Sequence, residues 1–576
     1  MIRIFLCGAV LLVGAASHAS PPAANAVPTG GQVAAGSAKI TQSGNTVTVN
    51  QGSQRAVINW QSFNVGKDAK VNFVQPSADS ATLNRVNSTT KTMIDGAVNS
   101  NGQVVFVNPN GVVFGKGAEV NTGGIIATTM NISDKDFMDG GGRQSYSGGA
   151  NGKVVNKGKI TVNSLDGYIA LMAPEVKNEG VLVATMSGNN AIALVAGEKV
   201  TLTFSGAQLM NVNVDASSIN ALIKNKRLIQ TDGGQIIIAA NAASDLRASV
   251  INNTGTISAT GLDKSGGRVV LTAGTITQAG TIEANGEGVA SNGGTIIMQG
   301  EKITLAAGSQ TNARGTANGG LINVGTTKVT FTQNADGTRS NVQAENLAKT
   351  VTVEQGATVD ASSTVKGNGG DINIWSSEKT IVAGTFKAHG GYLGGNGGFV
   401  ETSSSGILEI RQSTVVDVTA KSGKAGMWLL DPEDMVINAS TASALSTALA
   451  TANVTIEVKG NLTVAADAQL APVNGSATFI YDATTSRWRL LDAPVQNSTY
   501  KVLLTQSSTS APSAATTLVN NVGYTLTWAR SNTGIYTLTI SGYTAGKIYV
   551  NAAEWIVSTT QVSVNISHGV SGSDYV

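Results

Sequence analysis

The sequence predicts an all-β chain wound as a right-handed parallel β-helix, a solenoid with an N-terminal cap and a small C-terminal β region. Three observations carry this. Gly is abundant at 68 residues and Pro scarce at 10, a profile of short strands joined by tight turns. A frame of paired glycines followed by apolar residues recurs as GGQIIIAA from Gly233, GGRVVLTAG from Gly266, GGTIIMQG from Gly293, GGLINVG from Gly319, GGDINIW from Gly369 and GGFVET from Gly397. Its intervals are mostly about 26–33 residues, with one near 50, which is a solenoid period. A second echo reads Asn156-Lys157-Gly158, Asn178-Glu179-Gly180 and Asn253-Thr254-Gly255. One coil of about three short strands cannot bury its own apolar face, and stacked coils can. A sandwich would show hairpin turns every ~8–12 residues and a propeller blade signatures near ~40. Gly and Asn are read as sharp turns with φ > 0. Ile236, Ile238, Val270, Ile296 and Met298 are expected in the interior. At ~20–25 residues per coil and ~4.8 Å per rung, residues 30–435 would make a rod on the order of 80 Å long.

The N-terminus reads as an export signal over residues 1–19. Arg3 supplies the positive region, residues 4–16 the apolar run, and Ser17-His18-Ala19 the small residues of a cleavage site. The apolar run is short of the ~20 residues that span a bilayer, and no other segment is apolar enough to cross one. The one cysteine, Cys7, lies inside this signal, so the mature chain would hold no disulfide. Two readings stay open: a chain that must remain unfolded across a second membrane, or a large β core that needs no staple. Residues 30–64 suit the N-terminal cap, with alternation at 46–49 and 56–60 suggesting a strand laid over the first coil.

The stretch 93–130 organises the rest of the chain. It holds two short strands, 103–107 and 112–115, around Asn108-Pro109-Asn110-Gly111. Each of these four residues suits its place in a type I turn. Asn99-Ser100-Asn101-Gly102 reads as a second copy of the pattern. Two segments interrupt the stack. Residues 131–150 are polar and Gly-rich and read as a loop or a flexible excursion; residues 326–365 stretch the repeat and read as an extra coil with a protruding hairpin. Solenoid insertions are either tolerated loops or carriers of recognition.

Residues 427–432 end the Gly-rich region, and Asp431, Glu433 and Asp434 cluster there, a grouping that invites a reading as paired catalytic acids. Residues 440–452 (STASALSTALATA) read as a short helix with Ser440 as N-cap. Alternation resumes at 454–458, 524–528 and 535–540, and Asn532-Thr533-Gly534 points to a hairpin. Trp488, Trp528 and Trp555 are expected in a C-terminal core. That region either closes the rod or binds a receptor or the cell envelope.

The blocks NWQSFNVGKDAKVNFVQPSADSATLNRV (59–86) and NGQVVFVNPNGVVFG (101–115) resemble the N-terminal secretion domain of two-partner secretion exoproteins, the filamentous haemagglutinin and high-molecular-weight adhesin group. GNGGFVETSSSGILEI (395–410) and GKAGMWLLDPEDMVI (423–437) also resemble that group. The resemblance covers roughly residues 30–440. It implies a secretion (haemagglutination-activity-like) β-helix domain over 30–270 with continuing β-helix repeats over 271–438, and the residue pattern then gives a short helix followed by a C-terminal β domain over 439–576. It further implies a secreted protein, extracellular or cell-surface associated. Its partner would be an outer-membrane β-barrel transporter with periplasmic binding domains. By resemblance Asn108, Pro109, Asn110 and Gly111 belong to a motif linked with secretion, and Asn99, Asn101 and Gly102 are grouped with it.

The composition speaks against other classes. Charged residues are 13% and the net charge is +2, so there is no electrostatic case for nucleic acid or an acidic membrane surface. Beyond His18, the histidines are His389 and His568, and no HExxH, CxxC or GxSxG pattern occurs. No catalytic residue, metal or cofactor is expected. Three functions compete. Adhesion to host or bacterial surfaces comes first. Capture of a carrier protein or nutrient, such as a haem carrier, by loops 131–150 or 326–365 comes second. Polysaccharide cleavage comes last, because nothing nominates a carboxylate pair.

Overall fold

The computed structural model describes residues 21–468 except 150–151, 187–188, 217–219, 243–248, 263–264, 334–338 and 466–467. Beyond these it describes the backbone of a few short strands between 478 and 566. The expected signal with Cys7 therefore lies outside the described residues, as do His568 and the side chains of Trp488, Trp528 and Trp555.

From residue 46 the chain winds as a parallel β-helix with three faces. One coil shows the plan: Ala97–Ser100 on the first face, Gln103–Val107 on the second and Val112–Phe114 on the third. The next coil repeats it with Glu119–Thr122, Gly124–Thr128 and Lys153–Asn156. Register is direct, with Val98 beside Val120, Val105 beside Ile126 and Val112 beside Val154. Like residues therefore stack in columns. Val71, Val98, Val120, Ile160, Leu182 and Ile229 form one inward column and are fully buried. Two 12-residue strands, Asp371–Val382 and Phe399–Ile410, run through the corner between the second and third faces.

Fourteen strands make the first face. The outermost, Ala38–Ser43, is antiparallel to Thr46–Gln51. Likewise Gln32–Ala35 runs antiparallel to Arg55–Trp60 at the end of the second face. These two strands close the N-terminal end. The strands at 46–51 and 55–60 pair in parallel with the following coil, so they belong to the first coil and are not laid over it. Thirteen stacked rungs give roughly 60 Å at ~4.8 Å each. The rod is shorter than the ~80 Å expected, because loops and excursions enlarge each coil.

The paired glycines do a different job from the expected one. Of the six frames only Gly233 has positive φ, at 60°. The others are needed for close approach. A Cβ on Gly293 would fall on the carbonyl oxygen of Ala313, and one on Gly294 on that of Gly267. The second glycine also closes each coil. Gly294, Gly320 and Gly370 donate to the carbonyls of Ala284, Ala313 and Ala361 at 2.6, 2.7 and 2.7 Å. Phase also differs at one position: Val269 and Leu271 point inward, and Val270 stacks outside between Ile237 and Ile297.

The asparagine echo is a buried amide ladder. Asn156 Nδ2 donates to Asn178 Oδ1 at 2.9 Å, Asn178 to Asn225 at 2.9 Å, Asn225 to Asn253 at 2.8 Å, and Asn253 to Gln278 Oε1 at 2.6 Å. Buried amides are tolerated when satisfied in this way.

Residues 131–149 are ordered, not the expected loop or flexible excursion. They form α1 (Asp134–Asp139), capped by Ser133 Oγ accepting from the Asp136 N–H at 3.0 Å, and the strand Arg143–Ser147. That strand pairs antiparallel with Lys199–Ser205, which pairs with Gln208–Val214. Together they cover the outside of the second face, where Val57, Leu83, Val105, Ile126 and Met172 meet Phe137, Tyr146 and Leu202. Arg85 pins α1, reaching Asp134 Oδ1 at 2.7 Å and donating to the Ile132 carbonyl at 2.8 Å. The second insertion is a hairpin, Lys328–Gln333 with Arg339–Glu345, followed by an extra coil. It docks on the rod, with Val342 packed against Trp375, Phe399, Met427 and Leu429.

At the far end α2 (Ala439–Ala448) takes the place of a first-face strand beside Val415–Asp417. Ala442, Ala444, Leu445 and Ala448 enter the core. Its N-cap is Asn438, not Ser440, with Asn438 Oδ1 accepting from the Thr441 N–H at 3.0 Å. Further on, Thr478–Asp482 pairs with Arg487–Leu491 and Thr525–Asn532 with Ile535–Ser541, both antiparallel.

Candidate functional site

Asn108, Pro109, Asn110 and Gly111 turn the chain from the second to the third face. The Gly111 N–H donates to the Asn108 carbonyl at 2.9 Å, closing a β-turn. Asn108 is buried, and its side chain faces the coil beneath. Nδ2 donates to the Thr90 carbonyl and to Thr92 Oγ1, both at 3.0 Å, while Oδ1 accepts from the Asn110 N–H at 2.9 Å. Asn110 Nδ2 reaches the Ser88 carbonyl of the same lower segment at 2.6 Å. Pro109 and the Asn110 side chain stand exposed at the apex. Gly111 has φ 117° and a Cβ there would press on the Lys153 backbone of the coil above. The turn therefore ties the coil beneath to its own and leaves a narrow seat for the next.

Asn99, Asn101 and Gly102 are built differently and do not form a second copy of that turn. Asn99 lies in the strand Ala97–Ser100, its Nδ2 donating to Asn72 Oδ1 at 3.1 Å. Asn101 and Gly102 make the corner between the first and second faces. Asn101 brackets the Gln75 backbone, accepting its N–H and donating to its carbonyl, both at 2.8 Å. The Gly102 N–H donates to Gln75 Oε1 at 3.0 Å.

Gln75 is the residue that sequence reasoning missed. It is buried, and its Nε2 donates to the Ser80 carbonyl at 3.1 Å, to Thr82 Oγ1 at 3.0 Å and to the Gln103 carbonyl at 3.0 Å. The available signal was an amide following Val71 and Phe73, where alternation asks for another inward side chain. Gln75 and Asn108 thus stitch both ends of the strand Gln103–Val107 to the coil beneath. In between, Phe106 lies 4.9 Å from Phe63, which meets Trp60 edge-on at 5.3 Å.

Two ionisable clusters stand apart from these turns. His389 Nε2 lies 3.0 Å from Asp417 Oδ2 on the neighbouring rung. The hydrogen bond to Asp417 holds the imidazole above its usual range, and that same bond pulls Asp417 down to about 2. Glu401 is fully buried outside the second face. Burial, reinforced by Asp431 and opposed in part by the Ser403 hydroxyl that donates to Glu401 Oε1, pushes it up to about 8. Asp431 is buried, while Asp434 Oδ1 accepts from the Asn461 N–H at 2.6 Å at the junction. Among the described residues no group of three or more His, Cys, Asp or Glu is placed to hold a metal ion. No described helix is long and apolar enough to cross a membrane.

The TPS secretion domain family matches residues 24–284. A heme/hemopexin-binding protein of Haemophilus influenzae strain Rd is 29% identical over 266 residues, which are 45% of this chain and 29% of that protein. A second heme/hemopexin-binding protein of Haemophilus influenzae is 27% identical over 244 residues, 39% of this chain and 26% of that one. The match thus spans under a third of the length of these curated relatives. Among solved structures, the HMW1 secretion domain from Haemophilus influenzae aligns with a TM-score of 0.58 and 30% identity, over 70% of this chain and 100% of that one.

Proposed function

Because this chain belongs to the two-partner secretion exoproteins, with a TPS secretion domain over residues 24–284, we propose that its first coils are the export signal read by a dedicated outer-membrane β-barrel transporter with periplasmic binding domains. Members of this family are secreted, and this chain is secreted with them. The carrying observation is the Asn108 turn, which ties two coils together near the front of the rod. A coil fixed early offers a complete edge for the next, and each added coil buries apolar area without waiting for the end of the chain. Folding outside the cell then favours outward movement. The test is export in a strain that expresses the matching transporter. Asn108→Ala should cut the amount of protein in the medium severalfold, and unchanged export would remove the turn from the mechanism.

Outside the cell the rod works as a surface adhesin in this reading, without a catalytic step. A second reading is capture of a carrier protein, favoured by the two relatives named for heme and hemopexin. Both insertions pack one side onto the second face and leave side chains such as Met210 and Phe331 exposed on the other, so recognition falls to the outer sides of the insertions or to exposed edges of the rod. Binding of the mature protein to hemopexin, set against its binding to cell surfaces, separates the two readings.

A further inference from the structure

A column of outward side chains opens the second face in its first coils. Register places Arg55 beside Ala81, Ala81 beside Gln103 and Gln103 beside Gly124. Tyr168 follows on the next rung, one residue before the Ile169 that stands beside Ile125. Large and small residues thus alternate along the column. The small ones leave room: a Cβ on Gly124 would press on both the Gln103 side chain and the Tyr168 ring. Over this column lie the C-terminal end of α1, the covering strand Arg143–Ser147 and the turn between Lys199–Ser205 and Gln208–Val214. Between rod and cover is a cavity of about 180 Å³.

Two buried glutamines line it, Gln103 from the rod and Gln144 from the cover. The Tyr168 hydroxyl reaches across the Gly124 rung to donate to Gln103 Oε1 at 2.9 Å, and the Tyr146 hydroxyl donates to Gln144 Oε1 at 2.8 Å. Burial pushes both hydroxyls above the usual tyrosine range, so each keeps its proton and holds its glutamine by the oxygen. The amide nitrogens are left over as donors. Gln103 is 9% exposed and Gln144 6%, and neither Nε2 has a partner among the described residues. Buried amide donors are ordinarily paired, and two unpaired ones on one cavity point to a ligand.

Charge completes the wall. Arg55 Nη1 donates to the Phe137 carbonyl at 3.0 Å, and its guanidinium lies 5.1 Å over the Phe137 ring. These contacts hold the group without neutralising it, for Arg55 forms no ion pair among the described residues. Asp79 is exposed and also lines the cavity. Phe204 is half-buried, its ring 5.1 Å from that of Tyr168, and gives the cavity an apolar side.

The wall selects its occupant by chemistry and by size. A guanidinium and two amide nitrogens are donors suited to a carboxylate, which Arg binds in a two-pronged fashion. Asp79 suits an ammonium. One cation and one anion on the same wall match a ligand that carries both charges. The volume is below the ~300 Å³ at which pockets for drug-sized molecules begin, so the ligand is small. We propose that this cavity binds a free amino acid, its carboxylate on Arg55, Gln103 and Gln144, its ammonium towards Asp79 and its side chain against Phe204. Such a ligand touches the rod and its covering sheet at once, and binding fastens one to the other.

The test is calorimetric titration of the full mature protein with each common L-amino acid, and with acetate and glucose as comparison probes. At least one amino acid binds and raises the melting temperature; acetate binds more weakly and glucose does not bind. Gln103→Glu keeps the acceptor for Tyr168 and sets a negative charge where the amide nitrogen stood, lowering amino-acid affinity at least about tenfold. Asp79→Asn weakens the amino acid and leaves acetate as it was. A Cβ on Gly141, which also lines the cavity, meets nothing within 4 Å, so Gly141→Phe fills the space, abolishes binding and leaves the melting temperature of the free protein unchanged. Three results would each overturn the proposal: no amino acid binding to the parent protein, glucose or acetate binding as tightly as the best amino acid, or full binding by both Gln103→Glu and Gly141→Phe.

Discussion

Asn108 Nδ2 lies 3.0 Å from the Thr92 hydroxyl of the coil beneath it, so one side chain joins two turns of the helix before most of the chain has been laid down. Asn108→Ala strands the Thr90 carbonyl and the Thr92 hydroxyl and should cost about 1–3 kcal/mol in urea unfolding. Asn110→Ala, at an exposed amide, should cost under about 1 kcal/mol. Adding Thr92→Val to Asn108→Ala should recover part of the loss, because a matched apolar pair leaves fewer orphaned groups.

Gly294→Ala drives a methyl group onto the Gly267 carbonyl. Backbone cannot yield as a flexible side chain would, and a loss above about 2 kcal/mol is expected. Gly308→Ala meets nothing within 4 Å but must hold φ near 79°, and should cost only about 1 kcal/mol. Thermal melts of the two variants rank close approach against backbone conformation.

The His389–Asp417 pair sets a pH window. Asp417 is depressed to about 2, so its contribution is present above the ordinary Asp pKa and fades as pH falls through the folded value. His389 is raised, so its contribution is whole below the ordinary His pKa of ~6.5 and fades as pH rises through the raised value. The pair therefore helps most between roughly pH 4 and 6.5. Both side chains are about one-third exposed, at 34% and 31%, which limits the effect to under about 1 kcal/mol. Asp417→Asn should flatten the stability profile on both sides of that window, and a parallel profile would contradict the pairing.

Glu401 gives the opposite slope. Its folded pKa of about 8 lies above the ordinary carboxyl value, so the unfolded state ionises first and stability falls as pH rises towards 8. Glu401→Gln should stabilise the protein by on the order of a few kcal/mol at pH 8 and hardly at all at pH 4. Unfolding midpoints at the two pH values check this.

The solenoid was legible because stacking repeats its demands. Gly266-Gly267, Gly293-Gly294 and Gly319-Gly320 recur because every rung approaches its neighbour equally closely. The Asn108 turn was legible because its four residues each suit one position. The covering sheet was not: Arg143–Ser147 finds its partner at Lys199–Ser205, beyond the reach of local pattern. It also needs few apolar residues of its own, because Leu83, Val105 and Ile126 beneath it supply the rest. Val270 was misplaced because Val269-Val270-Leu271 is apolar throughout and alternation has no phase to read. Gln75 was passed over because a buried amide joining two coils looks, in one dimension, like a polar end to a strand.

The amide ladder has a polarity. Every donor from Asn156 onward points towards the next coil, so a half-emerged chain ends in an amide hydrogen waiting for an oxygen that has not yet arrived. The side-chain series ends at Gln278, whose Nε2 donates to the carbonyls of Gly280 and of Gln310 in the next coil, within a few residues of where the secretion domain match stops at 284.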